Sequence, residues 1–287
     1  MRDHPEPMKT PEKIARVASV RPSGPQKIKI YGERNTGTTY LEQLLVRNLE
    51  VESLRGGLPP SIRRIFPNSE RVRDWYFRAT RRHNLGWKHA LVPTANQLAK
   101  ARPDSTDLLF LTLTKNPYAW LVSLYRQPYH AKREYASLAQ FLQEPWETVG
   151  RENARSAFAS PVEIWNHKNA AYLALGDYTT TVHCRYEDLL ADPLAFLERL
   201  RCDHEIRPRR SPFENIHEAT KGRRRAKTFE DYRAYYLGER WRGELDHECI
   251  ELINERLDDE VMSRFGYRRI EPDRERPLAG PAHILRD

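Results

Sequence analysis

A short alternating run, Lys27-Ile28-Lys29-Ile30-Tyr31, passes through Gly32 to Gly37-Thr38-Thr39. It then enters a pattern with Leu41, Leu44, Leu45 and Leu49 on one helical face. A period of two before the glycines and of three to four after them predicts a strand, a tight turn and a helix. In Gly32-Glu33-Arg34-Asn35-Thr36-Gly37 the glycines have GxxxxG spacing. Such a turn curls backbone N–H groups around an anion, at a helix N-terminus whose dipole favours negative charge. An ordinary strand–helix turn is the plain alternative, and the Arg and paired threonines weigh against it. A nucleotide triphosphatase needs Lys and then Ser/Thr after the second glycine, for the β/γ-phosphates and Mg²⁺. Thr38-Thr39 stand there instead, which speaks against ATP or GTP hydrolysis and leaves the anion cradle intact.

The same alternation recurs downstream. Leu108–Thr114 reads as a buried strand, followed by Asn116-Pro117 and a helix through Leu121, Leu124 and Tyr125; Pro117 suits a first helical turn. Thr179–Cys184 reads as a third strand, and Asp192-Pro193 opens a helix through Leu197 and Leu200. Residues 228–237 and 244–257 look helical. Strands alternating with helices predict an α/β fold, a central parallel sheet with flanking helices. Residues 1–26 hold five prolines among charged residues and 271–287 hold three, so both are expected to be disordered tails around a single domain at 27–270.

Charge narrows the partner. Lys+Arg number 48 against 40 Asp+Glu, a net charge of +8, and the excess is clumped. Residues 55–82 hold eight Arg against two acids, and 201–227 hold nine Lys/Arg against four. A solvated basic face is the plain reading; an anionic partner is the functional one. No apolar run approaches the ~20 residues of a membrane span, and no secretory leader pattern is present. Cys184, Cys202 and Cys249 are isolated, without zinc spacing or a disulfide framework, which fits a reduced, cytoplasmic compartment.

Two further segments carry chemistry. In Gly86-Trp87-Lys88-His89, with Pro93 beyond, a cation and a base able to take a hydroxyl proton near neutral pH stand together at a strand end. A structural histidine is the commoner outcome for such a position. Lys115-Asn116-Pro117, with Ser123 eight residues after Lys115, lies at the C-terminal edge of an apolar strand, where open α/β sheets bind ligands. Lys115 and Ser123 share no helix face and converge only if Lys115 reaches over the turn.

Together these segments resemble the sulfotransferases that use 3′-phosphoadenosine 5′-phosphosulfate (PAPS). Gly37-Thr38-Thr39 and the residues before them are similar to that family's 5′-phosphosulfate loop. Lys88-His89 resembles the segment supplying the general base, and Lys115 to Ser123 resembles the 3′-phosphate motif. Arg185-Tyr186-Glu187-Asp188-Leu189 with Asp192-Pro193 resembles the family's Tyr-Glu-Asp-Leu turn and helix start. Order and spacing agree over roughly residues 27–202; Tyr235-Tyr236-Leu237 and Phe265-Gly266-Tyr267 are looser likenesses. The resemblance implies a P-loop-like sulfotransferase moving a sulfuryl group from PAPS to a hydroxyl or amine, without a metal. His89 would be the base, and Lys88 and Arg34 the cations on the leaving oxygen. Arg34, Asn35, Thr36, Gly37, Thr38, Thr39, Lys115, Ser123 and Arg223 would bind the nucleotide. The chain departs from the family where Asn35 replaces the loop's basic residue and Lys115 an Arg, losing its bidentate fork. Lys221-Gly222-Arg223 is the nearest substitute for the family's Arg-Lys-Gly.

The acceptor, a small molecule or carbohydrate, is expected to meet residues 55–85 and 126–165. There Trp75, Tyr76, Phe77, Trp146 and Trp165 either stack a ring or serve as core. The rival functions are a P-loop kinase or nucleotide triphosphatase, and a nucleic-acid binder using the Arg-rich segments. No zinc-finger, RNA-recognition or KH pattern supports the latter.

Overall fold

The computed structural model of the chain describes residue 24 and residues 27–67, 69–101, 108–131, 133–218 and 227–272. The tails expected at 1–26 and 271–287 lie almost wholly outside them, as does Arg223. The chain runs through β1 (Lys27–Gly32), α1 (Thr38–Asn48), β2 (Glu52–Ser53), α2 (Pro60–Ile65), α3 (Glu70–Asn84) and α4 (Ala95–Ala101). Next come β3 (Leu108–Thr114), α5 (Pro117–Arg126), α6 (Leu138–Gln143) and a small antiparallel pair, β4 (Trp146–Glu147) with β5 (Ala157–Phe158). α7 (Pro161–Leu175), β6 (Thr181–Arg185), α8 (Tyr186–Ala191) and α9 (Pro193–Asp203) follow. α10 (Phe229–Tyr236), α11 (His247–Arg256) and α12 (Asp259–Arg264) complete the described chain.

The main sheet has strand order β2-β1-β3-β6, and every pairing is parallel. β3 sits inside it, and all seven residues of Leu108–Thr114 are buried, as a continuous apolar run requires when helices cover both faces. The register pairs Lys27 with Leu108 and Gly32 with Leu113, so β1 and β3 end level and their following turns lie side by side. α1 buries Leu41, Leu44 and Leu45. α5 starts as expected: the Asn116 side chain accepts from the N–H groups of Tyr118 and Ala119, with Pro117 in the first turn. Asp192 caps α9 in the same way, on the N–H of Ala195.

β6 begins two residues later than its pattern predicts, because Thr179 turns back to bond the Leu175 carbonyl at 2.8 Å. The other surprise is Lys29. It alternates with Ile28 and Ile30, and because β1 is interior Lys29 is fully buried. Its ammonium donates to the carbonyls of Asn84 and Gly86, 2.6 Å each, at the C-terminal end of α3. Burial lowers its pKa to about 7, with Glu42 pulling the other way. Among the described residues no helix is long and apolar enough to cross a membrane.

Candidate functional site

The C-terminal ends of β1, β3 and β6 are followed by Asn35, Lys115 and Tyr186, and all three residues line one cavity of about 230 Å³. The turn after β1 is bent by two residues in the left-handed region, Asn35 (φ +66°) and Gly37 (φ +90°). Gly37 is constrained twice, since a Cβ there would sit 2.4 Å from the Tyr186 ring. It is also the residue preceding α1, and among the described residues no side chain caps the first N–H groups of that helix. Those groups and the positive end of the helix dipole stand where Gly37, Thr38 and Thr39 line the cavity.

Lys115 and Ser123 do converge. The Lys115 ammonium donates to the Asn35 carbonyl and lies 4.0 Å from the Tyr236 ring centre and 4.4 Å from that of Tyr186. Ser123, further along α5, has its hydroxyl 3.1 Å from that of Tyr236. Burial pushes the Tyr236 phenol up, but Lys115 and the Ser123 hydrogen bond outweigh it and hold the group below the ordinary tyrosine range. Among the described residues the cavity lining carries Lys115, Lys227 and Arg126, the last paired with Glu244, against one carboxylate, Glu218, a balance that suits an anion. A shallower hollow of about 360 Å³ over α6 is lined by Glu144 and Glu248 with no cation, and suits none.

Gly86–His89 is an irregular turn rather than a strand end. The Gly32 N–H donates to the Lys88 carbonyl (2.9 Å) and the Lys88 N–H to that of Gly56 (3.0 Å), which ties the turn to the end of β1. His89 is buried and lines the cavity, with Nδ1 2.6 Å from the Gly32 carbonyl. A carbonyl only accepts, so in the neutral ring Nδ1 carries the proton and Nε2 the lone pair. Lys88 touches the loop through the Thr39 hydroxyl (2.9 Å) and pairs with Glu42 at 3.5 Å. Burial lowers its pKa, against the pull of Glu42.

Two loop residues point elsewhere. The Arg34 guanidinium is 2.7 Å from Glu152 and lies 4.8 and 5.5 Å from the Trp87 and Tyr129 ring centres, outside the cavity lining. It belongs to a buried group in which Lys168 bridges Glu33 and Glu152 and donates to the His89 carbonyl at 2.9 Å. Burial favours the neutral form of Glu152, but the charges of Lys168 and Arg34 hold its carboxyl well below the usual range. Thr36 is also turned away, its hydroxyl bonding the Glu33 carbonyl at 2.6 Å. Glu33 itself is paired with Lys168.

Glu152 and Lys168 form the part of the site that motif reading missed. Lys168 had a signal: it falls on the buried helical face Ile164-Trp165-Lys168-Tyr172-Leu175, where a lysine must find a partner. Of the aromatic candidates, Phe77, Trp146 and Trp165 are core, and Trp75 is exposed. Glu187 of the Tyr-Glu-Asp-Leu turn accepts from the Asn116 N–H (2.9 Å) and the Tyr267 hydroxyl (2.8 Å), a structural clasp. Among the described residues no cluster of His, Cys, Asp and Glu could hold a metal ion. Neither a protein-family model nor a curated protein matches this chain.

Proposed function

We propose that this chain is a sulfotransferase of P-loop-like architecture that moves a sulfuryl group from PAPS to a hydroxyl or amine acceptor. One observation carries the proposal: three motifs distant in sequence meet around one cationic cavity at the C-terminal edge of parallel strands. They are the Gly37-Thr38-Thr39 turn, His89, and Lys115 with Ser123. An anionic nucleotide fits these residues, because the cradle excludes a Cβ and, among the described residues, the N-terminus of α1 has no side-chain cap and cations outnumber carboxylates in the lining.

When bound, PAPS supplies the sulfuryl group from its 5′ end. Thr38, Thr39 and the first N–H groups of α1 hold the 5′-phosphosulfate, with Asn35 and Gly37 shaping the turn. Lys115 and Ser123, steadied by Tyr236, hold the 3′-phosphate. His89 takes the acceptor proton on Nε2, its ring fixed by Gly32 and by the edge contact with Trp87, 4.9 Å between centres. Lys88 lies outside the cavity lining and pairs with Glu42, but it reaches the turn through the Thr39 hydroxyl, whereas Arg34 is held on Glu152. Of these two cations, Lys88 is therefore the one placed to steady charge developing at the leaving oxygen. Calorimetric titration with adenosine 3′,5′-bisphosphate, 5′-AMP and ATP tests the proposal. Preference for the bisphosphate is expected; magnesium-dependent ATP turnover without that preference refutes it.

A further inference from the structure

The Arg-rich segment at 55–82 has no part in the cavity, and its helices show what it presents to solvent. On α3 the exposed positions are Arg71, Trp75, Arg78, Ala79, Arg82 and His83, a single helical stripe without an acid. Both acids of this helix are drawn to other partners: Glu70 pairs with Arg73 and Arg151, and Asp74 with Arg151. The preceding α2 buries no residue and exposes Arg63, Arg64 and Ile65, followed by exposed Phe66. Ile65 and Trp75 are 68% and 66% exposed, and Phe66 45%. The Pro67 carbonyl accepts from Arg73 at 2.5 Å, tying the α2–α3 turn to α3. Arg63, Arg64, Arg71, Arg78 and Arg82 form no ion pair among the described residues.

Five unpaired guanidinium groups call for an anion, and three large apolar side chains call for a place to leave water. A soluble polyanion satisfies the first and offers nothing to Ile65 or Phe66. A second copy of the chain satisfies the second and sets Arg against Arg across a two-fold contact. An anionic lipid surface satisfies both, with phosphates for the arginines and a boundary region for the indole and the aliphatic side chains. We propose that the outer face of α2 and α3 docks on an anionic membrane surface. The opposite side of α3 reaches the catalytic turn through Phe77 and Trp87, 6.3 Å between ring centres, so docking would bring a bilayer within one helix of His89.

The test is sedimentation of the full chain with phosphatidylglycerol–phosphatidylcholine vesicles and with phosphatidylcholine vesicles, at about 0.1 M salt and without nucleotide. It is therefore independent of the sulfotransferase proposal. Binding to the anionic vesicles alone is expected. Each Arg near such a surface contributes about five-fold, so the triple variant R71E/R78E/R82E should lose at least a hundred-fold or so. W75A combined with I65S leaves the charge unchanged and should lose about ten-fold or more. Both variants change exposed positions, and native far-UV circular dichroism checks their fold. The proposal is overturned if the chain ignores anionic vesicles or if the triple variant sediments like the parent. It is equally overturned if W75A/I65S binds undiminished, and retention on heparin lost only in the triple variant would then assign the surface to a soluble polyanion.

Discussion

Removing the Lys115 ammonium separates two tasks that the geometry gives to one atom. It holds the Asn35 carbonyl of the loop, and it stands beside Tyr236 and Ser123 where a 3′-phosphate is proposed. Lys115→Met keeps an unbranched stem between the Tyr186 and Tyr236 rings, so packing is largely preserved. A charge-assisted contact to phosphate contributes ~1.5–3 kcal/mol, roughly ten- to a hundred-fold in affinity. The single hydrogen bond to the loop carbonyl contributes about 1 kcal/mol, or about five-fold. Titration calorimetry should therefore show adenosine 3′,5′-bisphosphate weakened by at least ten-fold or so, and 5′-AMP by no more than about five-fold. Ser123→Ala should act in the same direction and more weakly, because a neutral hydroxyl contributes only ~0.5–1.5 kcal/mol. Equal losses for the two nucleotides would place Lys115 in the loop's scaffolding alone, and the assignment of a 3′-phosphate site would fail.

With an acceptor found by a radiolabelled PAPS screen, His89→Ala should lower kcat by ~10²–10⁴-fold while bisphosphate affinity barely changes; retention of more than about a third of wild-type kcat would put the base elsewhere. Gly37→Val should abolish nucleotide binding with native far-UV circular dichroism, because φ +90° and the Tyr186 ring both exclude a Cβ; normal binding would mean that the turn holds no ligand. Lys29 gives a pH dependence of stability. Its folded pKa of about 7 lies below the unfolded value of 10.5, so between these the unfolded chain holds the extra proton and stability rises with pH. Urea unfolding at several pH values should show the parent gaining on Lys29→Met from pH 7 to pH 10, by at most about 3.5 kcal/mol. A difference that stays flat across that range would mean that the buried amine does not change protonation.

What was legible in the sequence was whatever rests on backbone geometry. The Gly32–Thr39 turn, the buried β3 run and the Asn116-Pro117 and Asp192-Pro193 helix starts each follow from local constraints, and each stands where its residues predicted. The side chains around the turn were less legible because their partners come from distant segments. Arg34 reads as a loop cation until Glu152, 118 residues away, takes its guanidinium. The helical face of Lys168 signals burial but not its partners, Glu33, Glu152 and the His89 carbonyl, which come from distant segments. These two cations and two carboxylates offset one another, so the desolvation each would suffer alone is recovered only by the whole group. Glu33 and Arg34 belong to the turn after β1, and Lys168 holds the backbone of His89. The pairing of four buried charges therefore ties the turn after β1 to the backbone of His89, a juxtaposition that no local motif encodes.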